Sequence, residues 1–259
     1  MTGMPSPFSL TGKRGLVIGI ANERSIATGC AHAFAACGAT LGATYLNDKA
    51  KPYVQAVTDK LPCDFLLPCD VHAPGELEAV FDEVAKRWGR LDFLLHAIAF
   101  APATDLHGRV VDSTPEGFAL AMDISCHSFL RMTKLAEPLM QGGGSLMTLT
   151  YQGSEHVVPH YNIMGPVKAA LESAVRYAAA ELGPKNIRVN AISPGPIATR
   201  AASGIEHFNE LLDAAQKAPE RRLATIEDCG ALAAFLAGDG ARMLTGTIIP
   251  VDGGQHLLA

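Results

Sequence analysis

A doubly wound parallel α/β sheet of about seven strands, with helices on both faces, is the fold this sequence predicts. Two observations predict it. Short runs that are apolar throughout alternate with segments of helical spacing, and strands lacking a polar face belong to a parallel sheet covered on both sides. No linker, repeat or low-complexity stretch interrupts the alternation, so residues 1–259 are expected to form one domain.

The elements follow in order. "RGLVIG" (residues 14–19) is a short apolar run ending in glycine. It leads into "SIATGCAHAFAACG", where Ile26, Cys30, Ala33, Phe34 and Cys37 recur at helical spacing and Gly38 supplies the stop. "TLGATY" (40–45) is a second strand, and a weaker helix over 49–60 separates it from a third, "FLLPCDV". Residues 74–88 are amphipathic, with Leu77, Val80, Phe81 and Val84 on one face. "LDFLLHAIAF" is the fourth strand, a long helical region spans 115 to about 139, and "GSLMTLTY" is the fifth strand. A helix is expected over 161–182, then "IRVNAIS" as the sixth strand. Residues 195 to about 218 carry helical patches without a clear core face. "IEDCGALAAFLAG" is a helix and "GTIIPVDGG" the last strand. In such a Rossmann-like sheet, ligands sit at the carboxyl ends of the strands.

Composition narrows the function. A chain 48% hydrophobic and 18% charged reads as a soluble globular protein with a large core. A formal net charge of -5 carries no basic footprint, so no nucleic-acid partner is expected. The opening "MTGMPSPFSLTG" lacks a charged stretch followed by an apolar one, and no apolar run is long enough for a bilayer. No signal peptide and no membrane partner are expected, and the expected location is cytoplasmic. The six cysteines form no C-x-x-C pair and read as free thiols of a reducing compartment. The nine histidines show no metal-ligand spacing, so no metal is expected.

"GIANERSIATG" (19–29) follows the first strand and opens the first helix, where a dinucleotide pyrophosphate would face free N–H groups. It is not the G-x-G-x-x-G fingerprint, because Ala21 and Ser25 fall between Gly19 and Gly29. An ordinary strand-to-helix turn explains these residues equally well. The second strand ends "TYLND". An acid there often bonds the adenosine ribose and repels a 2′-phosphate. Asp48 is the candidate, Lys49 competes with it, and NADH is expected over NADPH. Asp70, after the third strand, is a candidate for the adenine side, and a turn-capping aspartate before "HAPGEL" explains it equally well.

Tyr161 and Lys168 frame a more specific signal. Tyr-x3-Lys is the active-site signature of a large group of reductases, but here the residue four before Lys168 is Met164, which has no proton to donate. The chain nevertheless resembles, over nearly all its length, the bacterial enoyl-acyl-carrier-protein reductases, a divergent branch of the short-chain dehydrogenase/reductase superfamily. The matching segments are "GIANERSIA", "TYLND", "CDV", "HAIAFAP", "LTYQGSEHVVPHYNIMGPVKAALE", "RVNAISPGPIATRAASGI", "RRLATIEDCGALAAFL" and "VDGG". The most specific part is the spacing Tyr151-x9-Tyr161-x6-Lys168. Residues seven apart on a helix are nearly in line, roughly 10 Å apart along its axis. That spacing sets the hydroxyl a turn further from the lysine, which suits a substrate whose carbonyl is polarised while hydride lands two atoms away.

The resemblance implies NADH-dependent reduction of the trans-2 double bond of an enoyl thioester on acyl carrier protein, in fatty-acid synthesis. Hydride goes to Cβ, and charge builds on the thioester oxygen as an enolate. It implies that Tyr161 stabilises that charge, that Lys168 holds the nicotinamide ribose, and that Tyr151 lines the thioester pocket. It further implies cofactor contacts from Gly19, Ser25, Ile26, Asp70, Val71, Ile98, Lys168, Pro196, Ile197 and Thr199. Ala101, Tyr151, Tyr161, Met164, Ala201, Ile205 and Phe208 are implied to border the acyl chain, the last three on a lid at about 195–218. A homotetramer is expected by the same resemblance.

Three departures stand out. Leu46 occupies a position where relatives often carry a polar residue facing the ribose. Pro166 lies two before Lys168, where it is tolerated only in the first turn of a helix. Between residues 201 and 216 there is no Lys or Arg, while Glu206, Glu210 and Asp213 are acidic, so an acidic carrier protein is expected to dock poorly, or through another surface such as one near Arg200, Arg221 or Arg222. A solvated lid face explains the same charges equally well. The rival functions are a specialised enoyl-coenzyme A or carbonyl reductase of the same superfamily, and a non-catalytic nucleotide-binding relative.

Overall fold

The computed structural model describes residues 6–197, 199, 212 and 217–258. Along the chain run β1 (Arg14–Ile18), α1 (Ile26–Ala36), β2 (Thr40–Tyr45), α2 (Lys51–Thr58), β3 (Cys63–Pro68), α3 (Glu76–Trp88), β4 (Phe93–His96) and α4 (Ala103–Leu106). Then come α5 (Pro115–Met122), α6 (Ser128–Ala136), β5 (Gly144–Leu149), α7 (Met164–Leu182), β6 (Ile187–Pro194), α8 (Ile226–Ala237) and β7 (Ile248–Val251). The seven strands form one sheet in the order β3-β2-β1-β4-β5-β6-β7, and every pairing is parallel. The order reverses between β1 and β4, which opens a crevice at their carboxyl ends.

The central strands are mostly apolar because their two faces serve two cores. Leu16, Ile18, Leu94, Leu146 and Val189 face a cluster with Phe81, Phe129, Leu171 and Val175. Their neighbours Val17, Phe93, Leu95, Met147 and Ile192 face the opposite cluster with Phe34, Val54 and Leu236. On that second side α1 meets α8 at backbone distance. A Cβ on Gly29 would lie 2.1 Å from the Ile226 carbonyl oxygen, and one on Gly230 2.4 Å from that of Gly29. Gly29 therefore serves helix packing rather than a phosphate loop. The six cysteines are free, and Cys30, Cys69, Cys126 and Cys229 are buried. Among the described residues no helix is long and apolar enough to cross a membrane.

Two expected helices differ in detail. The helix expected over 161–182 begins at Met164, because His160 and Asn162 take positive φ (63° and 46°) and hold the preceding chain out of helical geometry. Pro166 is then the third helical residue, where its missing N–H has no helical partner to lose. The long helical region over 115–139 contains a π turn at Asp123–His127 between α5 and α6, and ends in a 3-10 turn, Glu137–Leu139. Polar side chains hold that π turn. The Ser125 hydroxyl donates to the Phe100 carbonyl and accepts from the Phe100 N–H, both at 2.8 Å. The Ser128 hydroxyl donates to Ile124 O at 2.7 Å.

His96, fully buried at the end of β4, ties the π turn to the sheet. Its Nε2 lies 2.9 Å from Ser128 Oγ and its Nδ1 2.8 Å from Thr148 Oγ1. Ser128 already spends its proton on Ile124 O, so the ring donates from Nε2 and accepts from Thr148 at Nδ1. That is the neutral tautomer. Burial and then the charge of Lys168 push the imidazole down to about 3.

Two expectations follow. Gly29→Ala should destabilise the protein by about 1–3 kcal/mol in urea denaturation, because α1 and α8 must separate. Between pH 6.5 and about 3 the unfolded chain binds a proton at His96 that the folded chain refuses. Stability should therefore fall with pH across that window, by about 1.4 kcal/mol per unit. His96→Asn should lack that part of the slope.

Candidate active site

The crevice is lined from the carboxyl ends of β1, β4, β5 and β6. After β1, Gly19 takes φ 116°, and a Cβ there would lie 2.2 Å from the Ala97 carbonyl oxygen. Only glycine lets this turn run so close to the end of β4. Ser25 is the N-cap of α1 but makes no side-chain cap bond. Its hydroxyl instead donates to Asn22 O at 3.0 Å and accepts from the Ala21 N–H at 3.3 Å. The first turn, beginning at Ile26, is left without a side-chain acceptor, which suits an anion.

At the end of β3, the Asp70 carboxylate accepts from the His72 N–H at 2.9 Å, and the Asp70 N–H donates to Glu76 Oε2 at 2.7 Å. This is the turn-capping arrangement that the sequence left open. The Val71 side chain is buried in the core, so its backbone is what remains for a ligand. Ile98 and Ala101 are partly buried against the same core after β4. Beyond β6, Pro196 is buried, while Ile197 and Thr199 are half-buried. The lid residues Ala201, Ile205 and Phe208, with Glu206 and Glu210, lie outside the described residues.

Tyr151 follows β5 by two residues, and its ring meets that of Tyr161 edge-on, with centroids 4.9 Å apart at 64°. Gly153 makes room for this contact, since a Cβ there would lie 2.4 Å from the Tyr161 ring. Burial holds the Tyr161 phenol far above its ordinary range, with Tyr151 and Glu172 adding to the effect. Burial also raises Tyr151, against a smaller opposite effect from Gln152. The Tyr151 hydroxyl is buried and, among the described residues, makes no hydrogen bond of normal geometry. Both phenols are therefore neutral donors at physiological pH, and neither is poised as a base.

Tyr161 is not on the helix. It sits in the turn before α7, where its carbonyl accepts from the Met164 N–H at 3.1 Å. The expected in-line relation of two residues seven apart on one helix is therefore corrected, because the left-handed Asn162 breaks the path between them. Met164, the first residue of α7, is buried. Lys168 is only 4% exposed, and its Nζ donates to the Leu149 carbonyl at 2.8 Å. Burial pushes its ammonium down to about 8, with Cys126 and Glu172 acting the other way. An ammonium has three protons, and among the described residues Leu149 O is the hydrogen-bond acceptor for one of them.

A glycine-only turn, an uncapped helix start and a buried ammonium together fit a dinucleotide. The paired phenols beside them fit an oxygen that gains negative charge. Among the described residues no group of acidic, histidine or cysteine side chains is arranged to hold a metal. Sequence reasoning missed Gly153, Thr150 and Glu172. Their only sequence signal was membership of the segment around Tyr151 and Lys168.

The family model described as enoyl-(acyl carrier protein) reductase matches residues 19–256. The chain is 47% identical over 249 residues to the enoyl-(acyl-carrier-protein) reductase (NADH) 2 of Rhizobium meliloti (strain 1021), covering 96% of this chain and 93% of that protein. The crystal structure of the Anaplasma phagocytophilum enoyl-(acyl-carrier-protein) reductase in complex with NAD matches with a TM-score of 0.92 at 44% identity, over 96% of this chain and 95% of that one. The Bacillus cereus enzyme, solved with NADP+ and indole naphthyridinone, matches with a TM-score of 0.94 at 43% identity, over 96% and 98%. Family, sequence and fold agree over most of the chain, and this chain belongs to the enoyl-(acyl carrier protein) reductase family.

Proposed function

We propose that this protein, acting as one reductase domain over residues 1–259, reduces the trans-2 double bond of enoyl thioesters with NADH, in fatty-acid synthesis. The observation that carries the reading is the buried Tyr151 hydroxyl, unpartnered among the described residues, whose ring meets Tyr161 at the strand exit where the Leu149 carbonyl holds Lys168. When bound, the nicotinamide supplies hydride to the substrate Cβ. Tyr161 donates a hydrogen bond to the thioester oxygen, which gains charge as the enolate forms, and that bond tightens toward the transition state. Its raised pKa keeps it protonated for this task. Lys168 holds the ribose hydroxyls, and its charge favours the enolate. Tyr151 orients the thioester.

Gly19, Ser25 and Ile26 receive the pyrophosphate, and Asp70, Val71, Ile98, Pro196, Ile197 and Thr199 complete the cofactor contacts. Ala101 and Met164 border the acyl chain together with Ala201, Ile205 and Phe208. At the adenosine end Leu46 is 56% exposed and offers no acceptor. Asn47 spends its side-chain oxygen on the Ala50 N–H at 3.1 Å. Asp48 is then the acid that favours NADH over NADPH. A cytoplasmic homotetramer is the proposed working form.

Acyl carrier protein is proposed to be a poor partner for the acidic lid around Glu206 and Glu210. Of the other basic candidates, Arg222 has its guanidinium paired with Asp228 at 2.7 Å.

Purified protein should oxidise NADH with a crotonyl thioester, and NADPH more slowly, while a ketone substrate should give no turnover. Tyr161→Phe should lower kcat about a hundredfold with NADH affinity retained. Ketone reduction in place of enoyl reduction would move the protein to the carbonyl-reductase reading. For the carrier, KM for crotonyl-acyl carrier protein should change little as salt is raised, and crotonyl-coenzyme A should turn over comparably. A steep rise of KM with salt would mean a basic docking site and would refute the acidic-lid reading.

A further inference from the structure

Glu172 has no part in the chemistry above, yet it is only 3% exposed. It lies four residues after Lys168 in α7, on the same helical face. The Thr150 hydroxyl donates to Glu172 Oε1 at 2.6 Å. Thr150 is itself buried, and its backbone N–H donates to Ile192 O of β6 at 2.8 Å. The preceding residue, Leu149, receives Lys168. Both residues that lead into Tyr151 are therefore fastened to α7, one through Lys168 and one through Glu172.

The groups around Lys168 leave Glu172 with a distinct role. His96, from β4, is neutral. Burial raises the thiol of Cys126, from the π turn, against the opposing charge of Lys168. Tyr151 and Tyr161 are neutral phenols by the same cause. Among these groups Glu172 is the carboxylate, and with Cys126 it favours the charged form of Lys168. A buried ammonium without such a neighbour loses its proton readily.

We propose that Glu172 is a positioning residue for the reduction: its charge keeps Lys168 an ammonium, and its bond with Thr150 holds the strand exit that presents the Leu149 carbonyl and Tyr151. The inference rests on the enoyl-reductase reading for its turnover arm alone, since cofactor binding is read separately.

The sign of the effect follows from Lys168. Cofactor affinity is present while Lys168 is protonated and is lost as pH rises through about 8. Removing the negative neighbour lowers that pKa, so the loss moves to lower pH. The experiment titrates NADH by fluorescence across neutral and alkaline pH on the full chain, and follows kcat with crotonyl-coenzyme A. Glu172→Gln keeps an acceptor for Thr150 and removes the charge, so its NADH curve should shift down by about one pH unit. Thr150→Val keeps the charge and removes the bond, so its NADH curve should stay in place while kcat falls about tenfold. A Glu172→Gln curve superimposed on wild type overturns the inference.

If Glu172→Gln does not fold, Glu172→Asp takes its place, keeping the charge and shortening its reach to Thr150. An unmoved curve with lowered kcat then agrees with the proposal, and a curve moved by a full unit overturns it. Absence of turnover in the wild type, with the Glu172→Gln shift intact, would fail the functional reading and leave the Glu172 assignment standing.

Discussion

A buried ammonium on a strand-end carbonyl is the contact around which the rest of this structure is arranged. Lys168 reaches back from α7 to Leu149 O, almost out of contact with water. Removing such a charge from solvent costs several kcal/mol, on the order given by desolvation of one ion. The surroundings are shaped to tolerate it. The groups that would repel it are neutral: His96 is locked in a proton-poor tautomer by Ser128 and Thr148. Glu172 is left in place one turn away, tied to the adjacent strand residue Thr150. The same contact joins β5 to α7, and so sets where Tyr151 leaves the sheet.

The sheet supplies the frame for that contact. Parallel pairing on both sides of β1 puts the carboxyl ends of β1, β4 and β5 on one rim, and the reversal of strand order opens it. Close backbone approaches then bring the rim together. Gly19 lets the first turn pass over Ala97, and Gly29 with Gly230 lets α1 lie directly on α8. The π turn at Asp123–His127 belongs to the same design: Ser125 grips the Phe100 backbone beyond β4, and Ser128 meets His96. A chain of short polar contacts thus runs from the π turn through His96 to β5.

Much of this was legible in the sequence. The strands were readable because residues such as Val17 and Leu16 face opposite cores, which favours apolar side chains on both faces. Gly19 and Lys168 were readable because the residue types carry their chemistry with them. Other features were hidden. The π turn sits inside a region of unbroken helical periodicity, and its cause is a hydrogen bond to Phe100, some 25 positions away. Thr150 and Glu172 look like an ordinary strand threonine and a helix-surface glutamate until the fold buries both. The bond from the His72 N–H to the Asp70 carboxylate was hidden as well, because nothing in the spacing of the two residues requires it.

The sequence by itself determined the alternation of strands and helices, the parallel sheet, the glycine turn after β1 and the residue types available for chemistry. It did so because those properties depend on local periodicity and on single side chains. The tertiary structure alone decided that Tyr161 stands in a left-handed turn ahead of α7 and not on the helix, and that its ring meets Tyr151 over Gly153. It also decided that Lys168 is buried with its ammonium on the Leu149 carbonyl rather than solvated. Burial and the meeting of distant segments set these outcomes, and neither is encoded in the spacing of residues along the chain.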